Sequence, residues 1–315
     1  MKGSYERINY SLRPAKSIER KMLCDAFRRL SEFGSVESYR YVGFGSPYFS
    51  DFYLFHKQLG FTNMISIERD EVNRSRFEFN RPFNCIDIEF GHSSEVLPLF
   101  SWDVRTIIWL DYDGRLDASV LTDVDFVCKK ALPGSVIIIS VNAQPDRPAG
   151  TKRVDLLKDH VGEDNVPRDI SDGDLAGWGT ARVYRRIITN TILQTLNDRN
   201  GGRASGSKIE YQQLFNFHYA DGAKMLTIGG LLYDEGQAHM VAKCAFNDLS
   251  FAKMEEEAYR IDIPCLTYRE IRHLDLQLPP SNEEMDLGAP GVPQRDIKKY
   301  EKLYRYFPTF AETET

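Results

Sequence analysis

Continuous apolar runs that alternate with helical segments constrain the fold of this chain more than any other feature of its sequence. Five short runs occur between residues 37 and 145, and segments with apolar residues at helical spacing separate them. The runs at 107–110 and 136–141 show no alternation of apolar and polar residues. Such strands are typical of a parallel sheet that helices cover on both faces. The pattern predicts an α/β fold with a doubly wound, Rossmann-like and mostly parallel sheet.

Segments on either side of this pattern extend the predicted fold. Apolar residues at helical spacing predict an amphipathic helix over residues 14–33. Its basic residues, among them Arg13, Lys16 and Arg20, are expected on the solvent-exposed face. Two apolar runs joined at Asp221 and Gly222 predict a terminal antiparallel hairpin in the sheet.

These elements divide the chain into three predicted regions. They are an N-terminal helical segment at 1–36, an α/β domain at 37–245 and a C-terminal helical appendage at 246–315. A lid insertion is expected around 144–207, because connections that long in a compact domain are usually functional or disordered. Trp178 in this insertion either touches a substrate or anchors the lid to the domain.

Charge and cysteine usage narrow the class of protein. The net charge of −6 gives no overall attraction to nucleic acid or to an anionic membrane. No apolar run approaches the ~20 residues that cross a bilayer. The five cysteines are scattered and form no CxxC pattern, which indicates free thiols in a reducing compartment. We therefore expect a cytoplasmic protein with no membrane segment and no strong nucleic-acid signature.

Glycines and an acid follow the first two predicted strands. Gly43 and Gly45 end the first strand, where they allow backbone to approach a ligand, although such a pair also occurs in tight turns without one. Glu68 closes the second strand, and an acid at that position can accept hydrogen bonds from both hydroxyls of a ribose. Alternatively, Glu68 is a surface carboxylate that pairs with Arg69 or Arg74.

Polar residues also follow the third and fourth strands. His92 and Ser93 end the third strand, and Asp111 and Asp113 end the fourth. Because the carboxyl ends of parallel strands open onto one crevice, these residues predict a pocket for an adenosine-type ligand. Tyr48 stands where a dinucleotide fingerprint has its third glycine, which disfavours a pyrophosphate cradle and a nicotinamide-dependent dehydrogenase.

The order of these motifs resembles the class I S-adenosylmethionine-dependent methyltransferases over residues 37–235. "YVGFGS", "SIE", "FGHSSEVL" and "IIWLDYDG" are similar to their first four motifs, and "HYADGAKMLTIG" is similar to their final hairpin. The resemblance implies S-adenosylmethionine as cofactor. It implies these cofactor-binding residues: Gly43, Phe44, Gly45, Ser46, Glu68, Arg69, His92, Ser93 and Asp111. The chain departs from the family at Tyr41 and at His92, where an acid is usual, and at Pro47, where a third glycine is usual.

Methyl transfer often needs a base near the methyl group, and Asp111 and Asp113 are the candidates for catalysis. Two neighbouring carboxylates can raise one another's pKa. Alternatively, Asp111 only holds the loop and the cofactor while Asp113 caps the next helix. "WLDYDG" also resembles metal-dependent catechol-type O-methyltransferases, which leaves a Mg²⁺ site of Asp111, Asp113 and Asn142 as an alternative. Because Val141 replaces an expected acid, we expect no metal.

The sequence thus predicts an enzyme that transfers a methyl group to a hydroxyl or an amine. The acceptor is a small molecule, a nucleotide or an RNA. The alternative is a methyltransferase-like subunit without turnover that acts in partner binding or assembly. In either case the C-terminal segment is a candidate surface for a protein partner or a second copy of the chain.

Overall fold

A computed structural model describes residues 13–146, 150–280 and 287–308 of the chain. Within these ranges the strands are β1 (Arg40–Gly43), β2 (Asn63–Glu68), β3 (Ile86–Phe90), β4 (Thr106–Asp111), β5 (Val136–Asn142), β6 (Ile209–Ala220), β7 (Lys224–Asp234) and β8 (Tyr259–Ile261). The helices are α1 (Pro14–Arg28), α2 (Ser50–Leu59), α3 (Arg74–Asn80), α4 (Ser93–Val96), α5 (Ala118–Lys130), α6 (Arg153–Val161), α7 (Gly179–Asn200), α8 (Ala238–Lys243), α9 (Tyr268–Asp275) and α10 (Gln294–Leu303).

All eight strands belong to one sheet, in the order β3-β2-β1-β4-β5-β7-β6-β8. β1 to β5 are parallel, and β7 is antiparallel to both β5 and β6. The predicted Rossmann-like sheet and its terminal hairpin are therefore confirmed. β8 pairs in parallel with β6 and adds an edge strand that the sequence analysis did not predict, so the C-terminal segment contributes a strand as well as helices.

Helices cover both faces of the sheet. One apolar core lies between the sheet and α1, α2 and α3, where Phe27, Phe55 and Phe77 are buried. The other core lies between the sheet and α5 to α7, and it buries Val124 and Ile187. Because both faces are covered, nearly every residue of β4 and β5 is buried, which is why their sequences lack alternation.

The segment predicted as a lid consists largely of α6 and α7 where it is described; residues 147–149 lie outside the described part. Ile187, Ile188 and Ile192 on α7 are buried in the second core, so this helix supports the sheet. The three domain boundaries remain predictions, and residues 1–12 of the first region also lie outside the described part. In the described ranges no helix is long and apolar enough to cross a membrane.

The basic residues at the start of α1 are not exposed, so that expectation was wrong for them, although Arg28 at the end of the helix is exposed. Lys16 and Glu19 are fully buried, and Arg13 and Arg20 are less than one-tenth exposed. The reason is the position of the first turn of α1, which lies next to Asp111 at the end of β4 and to Asp221 in the turn between β6 and β7. Asp221, in the turn between β6 and β7, accepts hydrogen bonds from the first backbone N–H groups of α1, with Lys16 N at 3.0 Å.

Candidate functional site

The glycine loop after β1 lies directly against the end of β2. Gly43 pairs in register with Ser66, two residues before Glu68. A Cβ on Gly45 would lie 2.5 Å from Glu68 Oε1 and would also overlap the Ser66 hydroxyl. Since Cβ atoms essentially never approach that closely, any side chain at residue 45 would require the Ser66 and Glu68 side chains to move. The glycine turn and the acid that the sequence suggested as ligands are therefore brought into contact.

Glu68 is a buried acid. It is 6% exposed, and the Ser66 hydroxyl donates a hydrogen bond to its Oε1 at 3.1 Å. Burial raises the pKa of this carboxyl to about 8, against the opposing effect of the Ser66 hydrogen bond. The alternative of a surface carboxylate paired with Arg69 or Arg74 does not hold, because Glu68 is buried and Arg74 pairs with Glu71 at 2.8 Å.

The raised pKa of Glu68 gives a testable pH dependence of stability. In the unfolded chain this carboxyl ionises near pH 4.5, whereas in the folded chain it ionises near pH 8. Its contribution to stability is therefore complete below about pH 4.5 and is lost as the pH rises through 8. Relative to the wild type, Glu68→Gln should gain about 1 kcal/mol or more between pH 5 and pH 8. Urea unfolding of both proteins at these two pH values measures the difference, and parallel profiles would contradict the buried acid.

Tyr41, which replaces the usual acid before the glycines, is paired with an acid from another element. Its hydroxyl donates a hydrogen bond to Asp51 Oδ2 on α2 at 2.5 Å. A Cβ on Gly43 would lie 2.7 Å from this hydroxyl, so the first glycine accommodates the Tyr41 ring. Burial raises the pKa of Asp51, and the nearby Arg20 opposes the rise. The carboxyl group of Asp51 thus lies beneath the loop, whereas residue 41, which usually supplies the acid, is a tyrosine.

Asp111 ends β4 in a buried charge network. Lys16 Nζ lies 2.8 Å from both Asp111 Oδ1 and Glu19 Oε2, and it donates a hydrogen bond to the Tyr219 hydroxyl at 3.0 Å. The ammonium also lies 4.2 Å from the centre of the Trp109 ring. Asp111 and Glu19 hold the pKa of Lys16 above its ordinary value, despite the opposing effect of burial, which is the largest single influence. Asp111 is thereby paired with a permanent cation.

Asp113 and Asn142 flank Asp111 at the carboxyl end of the sheet. Asp113 is exposed, while the side-chain oxygen of Asn142 accepts a hydrogen bond from Gln144 N at 2.9 Å. In the described ranges no group of three or more His, Cys, Asp or Glu residues could hold a metal ion.

The remaining predicted residues occupy the same edge of the sheet but differ in environment. Arg69 and His92 are exposed, and His92 lies at the start of α4. The Ser93 hydroxyl donates a hydrogen bond to Asp123 on α5, which also accepts one from the Tyr112 hydroxyl at 2.6 Å. The Ser93 side chain is therefore directed to α5 and links the start of α4 to that helix.

Phe44 and Ser46 complete the loop. Both are half-buried, and the Phe44 ring packs edge-on against Tyr112 at 4.9 Å between ring centres. Phe44 thus connects the glycine loop to the segment that follows β4. The glycine loop, Glu68 and Asp111 lie at the carboxyl ends of the neighbouring strands β1, β2 and β4, whereas the side chain of Ser93 is directed to α5.

Sequence reasoning missed the contribution of α1 and α2 to this site. Lys16 and Glu19 are three residues apart, a spacing that also describes an ordinary exposed ion pair. Asp51 follows the glycine loop by only a few residues, but its contact with Tyr41 depends on how α2 packs.

The fold and the site define a class of protein. The strand order, the single antiparallel strand and the acid in contact with a glycine loop are those of a class I methyltransferase, which uses S-adenosylmethionine. A family model described as "Putative O-methyltransferase" matches residues 8–315. The chain belongs to this O-methyltransferase family.

Comparison with individual proteins gives structural neighbours of low sequence identity. No curated protein matches the chain. The O-methyltransferase TomG of Streptomyces achromogenes is 13% identical, with a TM-score of 0.37, over 68% of this chain and 79% of its own. An O-methyltransferase from Bacillus cereus is 12% identical, with a TM-score of 0.38, over 72% of this chain and 86% of its own.

Proposed function

We propose that the chain transfers a methyl group from S-adenosylmethionine to a hydroxyl group of a small molecule, a nucleotide or an RNA. The observation that carries this proposal is the contact between Gly45 and the buried carboxyl of Glu68. Glycine at residue 45 leaves no side chain between the loop and that carboxyl. Family membership favours oxygen over nitrogen as the methyl acceptor.

The residues at the end of β1 and β2 suit an adenosine ligand. Glu68 would accept hydrogen bonds from the ribose hydroxyls, and the backbone of residues 43–46 would lie along the ligand. Exposed Arg69 and His92 are the candidates for the rim near the adenine, where an imidazole nitrogen can accept a hydrogen bond. Burial of Glu68 lowers the local dielectric, which strengthens its hydrogen bonds to a bound hydroxyl.

The acids around the end of β4 suit the cationic part of the cofactor. Asp51 takes the role of the acid that Tyr41 replaces, because its carboxylate lies beneath the same loop. Asp51 belongs to a group of charged side chains in which acids outnumber cations. The acids are Glu19, Asp51, Asp111 and Asp221, and the cations are Arg13, Lys16 and Arg20. A positively charged group would therefore be attracted to this end of the sheet.

Asp111 and Asp113 receive different roles in this proposal. The ion pair with Lys16 at 2.8 Å occupies the Asp111 carboxylate, so we assign Asp111 to orienting the cofactor. Asp113, exposed two residues later, takes the proton of the acceptor hydroxyl. When bound, the cofactor supplies an electrophilic methyl group on a sulfonium.

Calorimetric titration tests the cofactor assignment. S-adenosylmethionine and its demethylated product should bind the purified protein with micromolar affinity, and NAD should not bind. Absence of binding by the first two would overturn the proposal. Binding without methyl transfer to any fraction of a cell extract would instead favour the alternative of a subunit without turnover.

Substitution of the two acids separates their roles. Asp113→Asn should lower the rate of methyl transfer by about 100-fold or more and leave cofactor affinity within about threefold of the wild type. Asp111→Asn should instead weaken cofactor binding by about tenfold, a change of about 1.4 kcal/mol. Incorporation of tritiated methyl groups into the small-molecule and RNA fractions of a cell extract measures the first effect, and calorimetry measures the second. The opposite pattern would assign the base to Asp111.

We also propose a cellular compartment and a surface for partners. All five cysteines are unpaired, which supports a reducing compartment, and we propose the cytoplasm. The C-terminal segment, with its own small core around Leu274 and Ile297, is proposed as the surface for any partner or second copy of the chain.

A further inference from the structure

A cavity of about 550 Å³ lies at the edge of the sheet, away from the glycine loop. Residues of α7, β6, β8 and α10 contribute to its wall. His218 is on β6, three strands from β4 in the sheet order. At ~4.8 Å per strand, His218 lies about 14 Å across the sheet from Asp111, which ends β4. The volume is within the range of ~300–1,000 Å³ typical of ligand pockets.

The wall of this cavity is rich in cations. It includes six basic side chains, from Arg182, Arg260, Arg295, Lys298, Lys299 and Lys302. Arg295 and Lys299 both lie near Asp296, at 3.4 and 3.9 Å. In the described ranges Arg182, Arg260 and Lys298 have no salt bridge within 4 Å, so their charges are available to an anion.

The carboxylates near the cavity do not cancel this charge. Glu257 pairs with Lys253 at 2.7 Å, and Lys253 is not part of the wall. Glu256 lies 3.8 Å from Arg185, also outside the wall, and its side chain is 90% exposed. Since two of the three acids in the wall are directed to other cations, the cavity keeps an excess of positive charge in a chain whose net charge is −6.

A buried histidine in the wall lacks a hydrogen-bond partner. His218 is 3% exposed, and neither of its ring nitrogens has a partner among the described residues. Its ring stacks on Trp178 at 4.9 Å with an angle of 11°, and Arg260 lies 5.5 Å from the centre of the Trp178 ring. Burial and the neighbouring arginines lower the pKa of His218 to about 4, so the ring is neutral at pH 7 and keeps one N–H donor.

We propose that this cavity binds a phosphate group of a small molecule, with Arg182, Arg260 and Lys298 as its principal ligands. Arginine guanidinium groups match phosphate oxygens in a two-point geometry, and lysine adds a compact charge. Trp178 and His218 hold Arg260 in place through the ring stack. The proposal does not depend on methyl transfer, because none of these residues belongs to the glycine loop or the acid network.

Titration with inorganic phosphate and pyrophosphate tests the site, with nuclear magnetic resonance of the histidine side chains as the readout. His218 should show a saturable chemical shift change with a Kd of about 1 mM for phosphate alone, equivalent to about 4 kcal/mol, and a lower Kd for pyrophosphate. Sodium chloride at equal ionic strength should give no saturation. His56, on the far side of the sheet near Phe61, should not respond. Ribose 5-phosphate in the same titration distinguishes an organic phosphate from the free anion.

Paired variants decide the outcome. Arg182→Gln and Lys298→Gln should each weaken phosphate binding by about tenfold or more, while Lys130→Gln, an exposed lysine on α5, should not change it. All three residues are exposed, so the variants should fold. A His218 shift that sodium chloride reproduces, or equal weakening by the Lys130 variant, would overturn the proposal. If ribose 5-phosphate binds no better than inorganic phosphate, the site is one for the free anion.

Discussion

Replacing Lys16 with methionine is expected to lower the free energy of unfolding by about 3–5 kcal/mol. The substitution keeps an unbranched side chain of similar length but removes the one cation that lies, among the described residues, within 2.8 Å of both Asp111 and Glu19. Glu19 is fully buried, and ionising it without a partner in that position is costly. The loss should be measured by urea unfolding at pH 7, and Lys130→Met provides the matched control because Lys130 is exposed.

A compensating variant separates the charge effect from lost packing. Replacing the whole charged group with neutral residues often restores stability, whereas removing one partner does not. The triple variant Lys16→Met, Glu19→Gln, Asp111→Asn should therefore recover about half or more of the loss. If the single variant loses no more than the Lys130 control, the network contributes little and α1 is held mainly by its apolar stripe.

Much of the fold could be predicted from the sequence, but part of the site could not. Apolar runs without alternation identified β4 and β5, because burial on both faces is a local property of those residues. The hairpin was also predictable, because its turn residues Asp221 and Gly222 are adjacent in the sequence. β8 has only three residues, too few for a periodic signal, and its place beside β6 depends on tertiary packing.

The same distinction applies to the residues of the site: contacts set by the sheet topology could be predicted, and contacts set by helix packing could not. Gly45 and Glu68 were predictable as neighbours because residues at the carboxyl ends of adjacent parallel strands must meet. Lys16 was not, since a lysine three residues before a glutamate on a helix is usually exposed. Asp51 illustrates the same limit, because the sequence shows that Tyr41 lacks a carboxylate but not which helix supplies one.

Replacing Gly45 with valine is expected to weaken binding of S-adenosylmethionine by about 100-fold or more, a change of about 2.7 kcal/mol. The backbone of Gly45 is not in the left-handed region, so the effect does not come from conformational strain. It comes from the branched side chain, which must displace the Ser66 hydroxyl and the Glu68 carboxyl at the place where the ribose would bind. Calorimetry of the variant measures the loss, and its circular dichroism should remain that of the wild type because the strands themselves are unchanged.

The control is Gly202→Val, since a Cβ at residue 202 would meet no atom within 4 Å. Adding Ser66→Ala to Gly45→Val removes one of the two overlapping groups and should recover part of the affinity, which ties the loss to this contact. Glu68→Gln alone should also weaken binding above pH 8, where the wild-type carboxyl is ionised and a neutral amide accepts hydrogen bonds from the ribose hydroxyls less strongly than a carboxylate. Binding within about threefold of the wild type in Gly45→Val, a difference below 1 kcal/mol, would place the cofactor elsewhere and remove the basis of the proposed function.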